Sequence, residues 1–315
     1  MTVIDWLLDS DPATRWQVMR DITHEPADVV AAERSRVAGE GWGARLLALQ
    51  GPDGQWGGTY FPEWTSTTNT LLLLRYMGLE PASEARRAVT LVRDNARWEH
   101  AGQPYFSGEV EPCINGTAVA LGSYFGQDVN GVVERLLGEQ LSDGGWNCEA
   151  ERGSTRSSFG TTINVLEGLL EYEWATPSAD VAAARRRAEE HLLDRRMFRR
   201  LSTGEVVNPD WLRFSFPPRY FYDVLRGLDY MRSADVEPDE RCAEAIDLVE
   251  KKRCEDGRWP LENPHAGSVY FDMDEGEGKP SRWNTLRAVR VLAWAERGAQ
   301  HQNQDRQDAP SRRGR

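Results

Sequence analysis

The stretch Gln50-Gly51-Pro52-Asp53-Gly54-Gln55-Trp56 recurs twice later in the chain, as Gln140–Trp146 and, with Arg in the place of Gln, as Arg253–Trp259. Each copy follows an apolar helical run and precedes a polar loop and a second apolar run. Asp-Gly favours a turn, because glycine adopts positive φ just past a helix end. The Trp covers a large apolar area and has one N–H to satisfy. Each copy is therefore predicted to end one helix and fasten it to the next layer.

Apolar periodicity on either side of these copies predicts about six helical pairs and no sustained strand. The pairs are Val3–Leu8 with Pro12–Ile22, Ala44–Gln50 with Thr65–Met77, Ala85–Asn95 with Asn115–Tyr124, Val132–Gln140 with Thr161–Trp174, Ala179–Met197 with Tyr222–Met231, and Asp239–Lys252 with Trp283–Glu296. The second helix of a pair is the more apolar, as expected for helices enclosed on most sides. We therefore predict an all-α fold, a single (α/α)6 toroid over residues 1–297. Residues 298–315 lack apolar periodicity and are predicted to be a disordered tail.

Composition narrows the classes of function. A net charge of −12 argues against a general nucleic-acid binder or a polybasic membrane anchor. Four cysteines without paired spacing argue against a disulfide framework or a zinc finger. No apolar run is long enough to cross a bilayer, and the first residues lack the basic start of a signal peptide. These features predict a soluble, cytoplasmic protein.

The Gln-x-x-x-Gly-x-Trp pattern of the three copies resembles the repeat of squalene–hopene and oxidosqualene cyclases. Those enzymes share an α/α toroid with the β subunits of protein prenyltransferases, and the chain is also similar to short bacterial squalene-cyclase-like proteins. The cyclases have two toroids, whereas this chain has room for one. The resemblance implies the fold and an apolar small-molecule partner of isoprenoid type.

The resemblance does not carry over the cyclases' acid. Their Asp-x-Asp-Asp-Thr-Ala motif is best matched by Cys113-Ile114-Asn115-Gly116-Thr117-Ala118, in which the carboxylates are gone and Asn115 takes the place of the proton donor. Protein prenyltransferases instead place Asp, Cys and His on zinc. No Asp-x-Cys with a distal His in an equivalent repeat is found, so no metal is predicted on that basis.

In a toroid, the central cavity is lined by the first turns of the inner helices and the loops before them. Aromatic walls there could hold an isoprenoid and stabilise carbocations through ring faces; the alternative is that these rings pack between helices. The predicted ligand-binding residues are Trp64, Asn115, Phe159, Trp211, Phe214, Tyr220, Tyr222, Tyr270 and Trp283.

Four residues are candidates for catalysis. Asp272 and Asp274 lie in an acidic cluster, where close carboxylates raise one pKa and suit a general acid. The same cluster could bind Mg²⁺, but only with a bound diphosphate; the alternative is a solvated loop. Glu111 is a second acid candidate, with helix capping as the alternative.

Cys113 precedes a helix start, which would stabilise a thiolate. A nucleophilic cysteine needs a nearby histidine as its general base, and His265, in a loop, is one candidate. A buried, inert cysteine is the alternative, and a metal site of Cys113, Cys148 and His265 is a further arrangement that the sequence allows.

The leading hypothesis is an enzyme acting on an isoprenoid or similar apolar substrate, without the family acid. One alternative is a non-catalytic toroid that binds a hydrophobic ligand or a protein. Another is a carbohydrate-active α/α barrel, which would need two carboxylates roughly 5–10 Å apart. An enzyme predicts an acid at the cavity wall with a pKa raised by burial, whereas a binder predicts none.

Overall fold

The computed structural model describes residues 1–59, 64–81, 83–99 and 102–308, with the backbone alone for residues 83, 84 and 299–308. This part of the chain is helical and contains no β-strand; its extended contacts are isolated bridges, such as Arg97 with Pro104. The helices are α1 Val3–Leu8, α2 Pro12–Asp21, α3 Ala27–Ser35, α4 Gly41–Ala48, α5 Thr67–Met77, α6 Ser83–Asn95, α7 Pro112–Tyr124, α8 Asn130–Gly138, α9 Phe159–Ala175, α10 Ala179–Leu193, α11 Val224–Ser233, α12 Ala243–Lys251 and α13 Arg282–Asp308. The all-α prediction is confirmed for these residues.

Short polar side chains set the starts of the second helices. Ser66, Ser158 and Asp223 accept hydrogen bonds from backbone N–H groups in the first turns of α5, α9 and α11. These bonds satisfy donors that a helix leaves unpaired. The predicted helix from Ala179 ends at Leu193 rather than Met197, because Met197 has a left-handed φ of 69°.

The three tryptophan-bearing stretches make the same contacts. Each indole N–H donates to a carbonyl ten residues earlier, near the end of the preceding helix, at 2.7–2.8 Å. Each Trp backbone N–H donates to a threonine hydroxyl in the first turns of the following helix, at 3.0–3.1 Å. The indole acceptors are Leu46, Leu136 and Val249, and the threonines are Thr67, Thr162 and Thr285. Each stretch thus joins the end of one helix to the start of the next.

Two of the three stretches also reach a third helix. The side-chain amide of Gln50 donates to the carbonyl of Ala88 in α6, and that of Gln140 to the carbonyl of Ala184 in α10. Arg253, which replaces the glutamine in the third copy, lies over the ring of Trp259 instead. The glutamine therefore links consecutive pairs in addition to closing its own turn.

The second helices follow one another through direct contacts. α5 contacts α7, α7 contacts α9, α11 contacts α13, and α2 contacts both α5 and α13. α9 and α11 are joined by an ion pair between Glu167 and Arg226. α7 and α9 approach most closely, because a Cβ on Gly168 would lie 2.2 Å from the carbonyl oxygen of Gly116. α7 is buried from Ile114 to Gly122, as predicted for an enclosed helix.

The last helix continues beyond the predicted domain end. The backbone of α13 is helical to Asp308, whereas the sequence predicts a tail without structure from residue 298. Gln, Ala and Arg have high helix propensity, so helix can propagate past the last packed turn. The remaining tail residues, 309–315, lie outside the described part. No helix in that part is long and apolar enough to cross a membrane.

Candidate functional site

The loop of residues 214–222, between α10 and α11, lies between two cavities. Phe216 stacks on Trp283, with ring centroids 4.3 Å apart, and meets Tyr76 edge-on at 6.0 Å. Phe216 and Pro218 line one cavity, whereas Pro217 and Arg219 line the other. This loop therefore contributes residues to both cavities.

The larger of these cavities, about 340 Å³, is charged. It is lined mainly by residues of α2, α5, α9 and α11 and of the first third of α13, and seven arginines face it. Arg75 pairs with Glu171 at 2.5 Å, and Arg226 pairs with Glu167 at 2.8 Å. The hydroxyl of Tyr76 also donates to Glu167, and burial raises the pKa of Tyr76 to about 12. This cavity therefore contains ion pairs and differs in position from the predicted apolar cavity, which the sequence places at the first turns of the inner helices.

The second cavity is narrow and apolar, with a volume of about 40 Å³. Two predicted ligand-binding residues, Trp64 and Tyr270, line it, and the hydroxyl of Tyr270 donates to the carbonyl of Thr65 at 3.0 Å. We call this cavity the Arg219 pocket. Its lining consists of Leu46, Trp64, Asn69, Leu72, Leu73, Tyr76, Pro217, Arg219, Val269, Tyr270, Phe271 and Met273.

Arg219 is the charged residue of this lining. Its guanidinium lies 3.6 Å from the centroid of the Trp64 ring, and the residue is only 4% exposed. In the described ranges no carboxylate pairs with it, and its Nη1 has no hydrogen-bond partner. Burial lowers the pKa of Arg219 to about 9. Sequence reasoning missed this residue, since an arginine between prolines and tyrosines gives no sign that it is buried.

The other predicted ligand-binding aromatics lie elsewhere. Phe159, Trp211 and Tyr222 pack against one another, with centroids 4.7–5.1 Å apart. The hydroxyl of Tyr222 donates to the carbonyl of Met197, which fixes this cluster between helices. Phe214 is fully buried.

Three further predicted residues have structural contacts of their own. Tyr220 contacts Trp64 at 5.5 Å, beside the Arg219 pocket. Trp283 faces the charged cavity. Asn115, in the place of the cyclase acid, exchanges two hydrogen bonds with the backbone of Glu109. Its amide therefore fixes the entry into α7.

The acids that the sequence singles out do not line the Arg219 pocket. Asp274 accepts hydrogen bonds from the hydroxyl of Ser281 and the backbone N–H of Arg282, so it occupies the start of α13. Burial raises the pKa of Asp274, but its carboxylate is engaged by these donors. Asp272 is exposed. The nearby charge of Glu275, in the same acidic cluster, adds to this rise in the pKa of Asp274, and a catalytic role for Asp272 or Asp274 stays a prediction.

No protein-family model matches the chain, and no curated protein matches it. The function must therefore be argued from the geometry of the sites.

Cys113 lies beside Cys148, with 3.0 Å between the two sulfur atoms. Glu111 completes a group of three, since its Oε2 lies 3.6 Å from the sulfur of Cys113. The hydrogen bond between the two sulfur atoms raises the pKa of Cys113 and lowers that of Cys148. The pair therefore carries one thiolate more readily than two.

His265, the predicted base or ligand beside Cys113, is not in this group. It stacks on Phe221, with centroids 4.2 Å apart, and its Nε2 lies 3.1 Å from the hydroxyl of Ser215. That hydroxyl donates to Asp223, which caps α11. Burial lowers the pKa of His265 to about 4. Cys113 lies in the first turn of α7 and His265 in the loop between α12 and α13, and the sequence alone does not show whether these two segments meet.

Proposed function

We propose that the chain is a single α/α toroid of the terpenoid cyclase and prenyltransferase type, which takes an isoprenoid-type molecule with an anionic head group into the Arg219 pocket. The toroid is supported by the order of helix contacts, which runs from α2 through α5, α7, α9, α11 and α13 and returns to α2. It is also supported by the three tryptophan-bearing stretches, whose hydrogen bonds repeat.

The observation that carries the ligand proposal is the buried guanidinium of Arg219, which meets no carboxylate among the residues that the structure describes. An isolated buried charge costs several kcal/mol, so it is rarely retained without a partner. The ring of Trp64 offsets a part of this cost, about 1–2 kcal/mol. A phosphate or carboxylate entering the pocket would offset the rest, because a guanidinium presents paired donors to such oxygens.

The walls around Arg219 account for the apolar part of the ligand. Leu72, Leu73, Phe271 and Met273 offer hydrocarbon surface beside the cation. A volume of about 40 Å³ is too small for an isoprenoid chain. Binding therefore requires side chains at the surface of the pocket to turn outward, and Val269, which is 46% exposed, is placed to do so.

A non-catalytic binder is the second candidate, favoured by one specific observation. Among the described residues that line the Arg219 pocket, none is a carboxylic acid. Protonation of an alkene from this lining is therefore not available. A reaction here would start from loss of an anionic leaving group, with Mg²⁺ required only if the ligand is a diphosphate. A cytoplasmic location and the lack of a nucleic-acid partner stay predictions from the sequence.

The test compares ligands that differ only in the head group. Farnesyl phosphate, farnesyl diphosphate with and without Mg²⁺, farnesol and inorganic phosphate are titrated against the full chain, with tryptophan fluorescence and thermal unfolding as readouts. We expect the two anionic isoprenoids to bind and farnesol to bind much more weakly. Mass spectrometry of the same mixtures then separates turnover from simple binding.

The matched variants are Arg219→Met and Arg213→Met, the second at an exposed surface ion pair with Glu277. Loss of the buried cation should weaken binding of the anionic isoprenoids by about 30-fold or more, since truncating a buried charged partner costs roughly 2–5 kcal/mol. Arg213→Met should leave binding unchanged. Equal affinity for farnesol and farnesyl phosphate, or full binding by Arg219→Met, would refute the proposal.

A further inference from the structure

Three potential metal ligands converge away from the Arg219 pocket. The carboxylate of Glu111 and the sulfurs of Cys113 and Cys148 lie within 4.8 Å of one another. Glu111 is the N-cap residue of α7, and Cys113 lies in the first turn of that helix, with Pro112 between them as the first helical residue. Cys148 begins a short 3₁₀ turn after Trp146, whose indole bond to Leu136 fixes that loop. Two rigid elements therefore hold the three donors together.

The surroundings of this group favour a cation. A cavity of about 440 Å³ adjoins Cys148, and its lining includes five glutamates and one arginine. The arginine, Arg152, is already paired with Glu149. The glutamates of the lining are Glu99, Glu109, Glu111, Glu149 and Glu151. The negative charge of these glutamates would stabilise a divalent cation bound at the two sulfurs. Without a cation, the same charge would disfavour the ionisation of a second thiol.

We propose that Glu111, Cys113 and Cys148 bind a zinc ion, with a fourth position open toward the acidic cavity. Thiolates select soft or borderline metals, and a carboxylate beside them suits Zn²⁺ better than Cu⁺. Three protein ligands with an open fourth position are typical of zinc sites that bind a water or a substrate atom. The ligand at that position would be a water or a soft donor such as a thiol.

The distances fit a tetrahedral site after a small adjustment. Zn–S bonds of about 2.3 Å and a tetrahedral angle place two sulfurs roughly 3.8 Å apart, and a sulfur and an oxygen roughly 3.5 Å apart. The Cys113 sulfur and the Glu111 oxygen are 3.6 Å apart, and the two sulfurs 3.0 Å apart. Metal entry would displace the proton between the sulfurs and widen that pair by rotation of the side chains.

The test uses the full chain, reduced with a phosphine and freed of metal with a chelator. Zn²⁺ is titrated against a chelating indicator, and Co²⁺ serves as the spectroscopic probe. We expect one equivalent of Zn²⁺ to bind, and the Co²⁺ complex to show a thiolate charge-transfer band. Cys113→Ser and Cys148→Ser should each halve that band and weaken zinc binding by more than the roughly 10- to 100-fold that an outer-shell partner costs.

Two variants separate ligands from bystanders. Glu111→Gln should weaken zinc binding while keeping the full thiolate band, whereas Cys254→Ser, at an exposed cysteine, should change neither. Circular dichroism of the metal-free variants shows whether they remain folded. The proposal is overturned if the reduced chain binds no stoichiometric zinc, or if binding survives both cysteine changes. It is also overturned if Cys113 and Cys148 form a disulfide and show no zinc affinity after reduction.

Discussion

Replacing either of two buried arginines with methionine should change the free energy of unfolding, in opposite directions at the two positions. Arg219 is 4% exposed and has no carboxylate partner among the described residues, whereas Arg226 is 3% exposed and pairs with Glu167 at 2.8 Å. Methionine replaces the aliphatic stem of arginine without its charge. The positive φ of Arg219, 53°, is equally unfavourable for both side chains, so the backbone cost cancels.

The magnitudes follow from burial and pairing. A pKa lowered from 12.5 to about 9 corresponds to about 5 kcal/mol opposing the charged form of Arg219. Loss of the contact with the Trp64 ring offsets about 1–2 kcal/mol of that, so Arg219→Met should raise the free energy of unfolding by about 3–4 kcal/mol. Arg226→Met leaves the buried carboxylate of Glu167 with the hydroxyl of Tyr76 but without its ion-pair partner, and should lower the free energy of unfolding by about 3–5 kcal/mol.

The assay is urea unfolding followed by circular dichroism at pH 7, with the free energy extrapolated to zero denaturant for the native chain and both variants. Arg213→Met serves as the surface control and should lie within about 0.5 kcal/mol of the native chain. If Arg219→Met destabilised the chain as Arg226→Met does, Arg219 would have a stabilising partner within the folded chain. No anionic ligand would then be needed to offset its charge, and this result would refute the proposal for the Arg219 pocket.

Three further outcomes are expected. Trp146→Phe should lower the free energy of unfolding by about 1–3 kcal/mol, because the carbonyl of Leu136 loses the indole donor and keeps only the longer bond from the backbone N–H of Glu139, at 3.3 Å. An unchanged urea midpoint would contradict this. Gly168→Ala should be strongly destabilising, since the added Cβ would lie 2.2 Å from a backbone oxygen of α7. In the control Gly131→Ala, the added Cβ meets nothing within 4 Å, so this variant should be stabilised by about 0.5–1 kcal/mol. Similar melting temperatures for both variants would argue against close α7–α9 packing. Since the pKa of His265 is lowered to about 4, NMR should show a neutral imidazole at pH 6 in the native chain. The free energy of unfolding should fall as the pH drops from about 6.5 toward 4, because the unfolded chain binds the proton more readily in this range. Titration of His265 near pH 6.5 in the native chain would contradict both expectations.

The parts of the structure that sequence alone predicts are those set by local contacts. The tryptophan of each recurring stretch bonds to a carbonyl ten residues before it, and serine and aspartate caps lie next to the helices that they start. Such contacts leave a pattern of residue types at fixed spacing. This is why helix positions and the enclosed character of α7 could be predicted.

The contents of the two cavities and of the cysteine group depend on residues distant in sequence. Arg226 meets Glu167 across 59 positions, and Cys113 meets Cys148 across 35. No local pattern predicts which arginine pairs with a carboxylate and which, like Arg219, is buried with no carboxylate partner in the described ranges. Tertiary packing decides this, because the energy of a buried charge or thiol is set by the atoms around it and not by its neighbours along the chain.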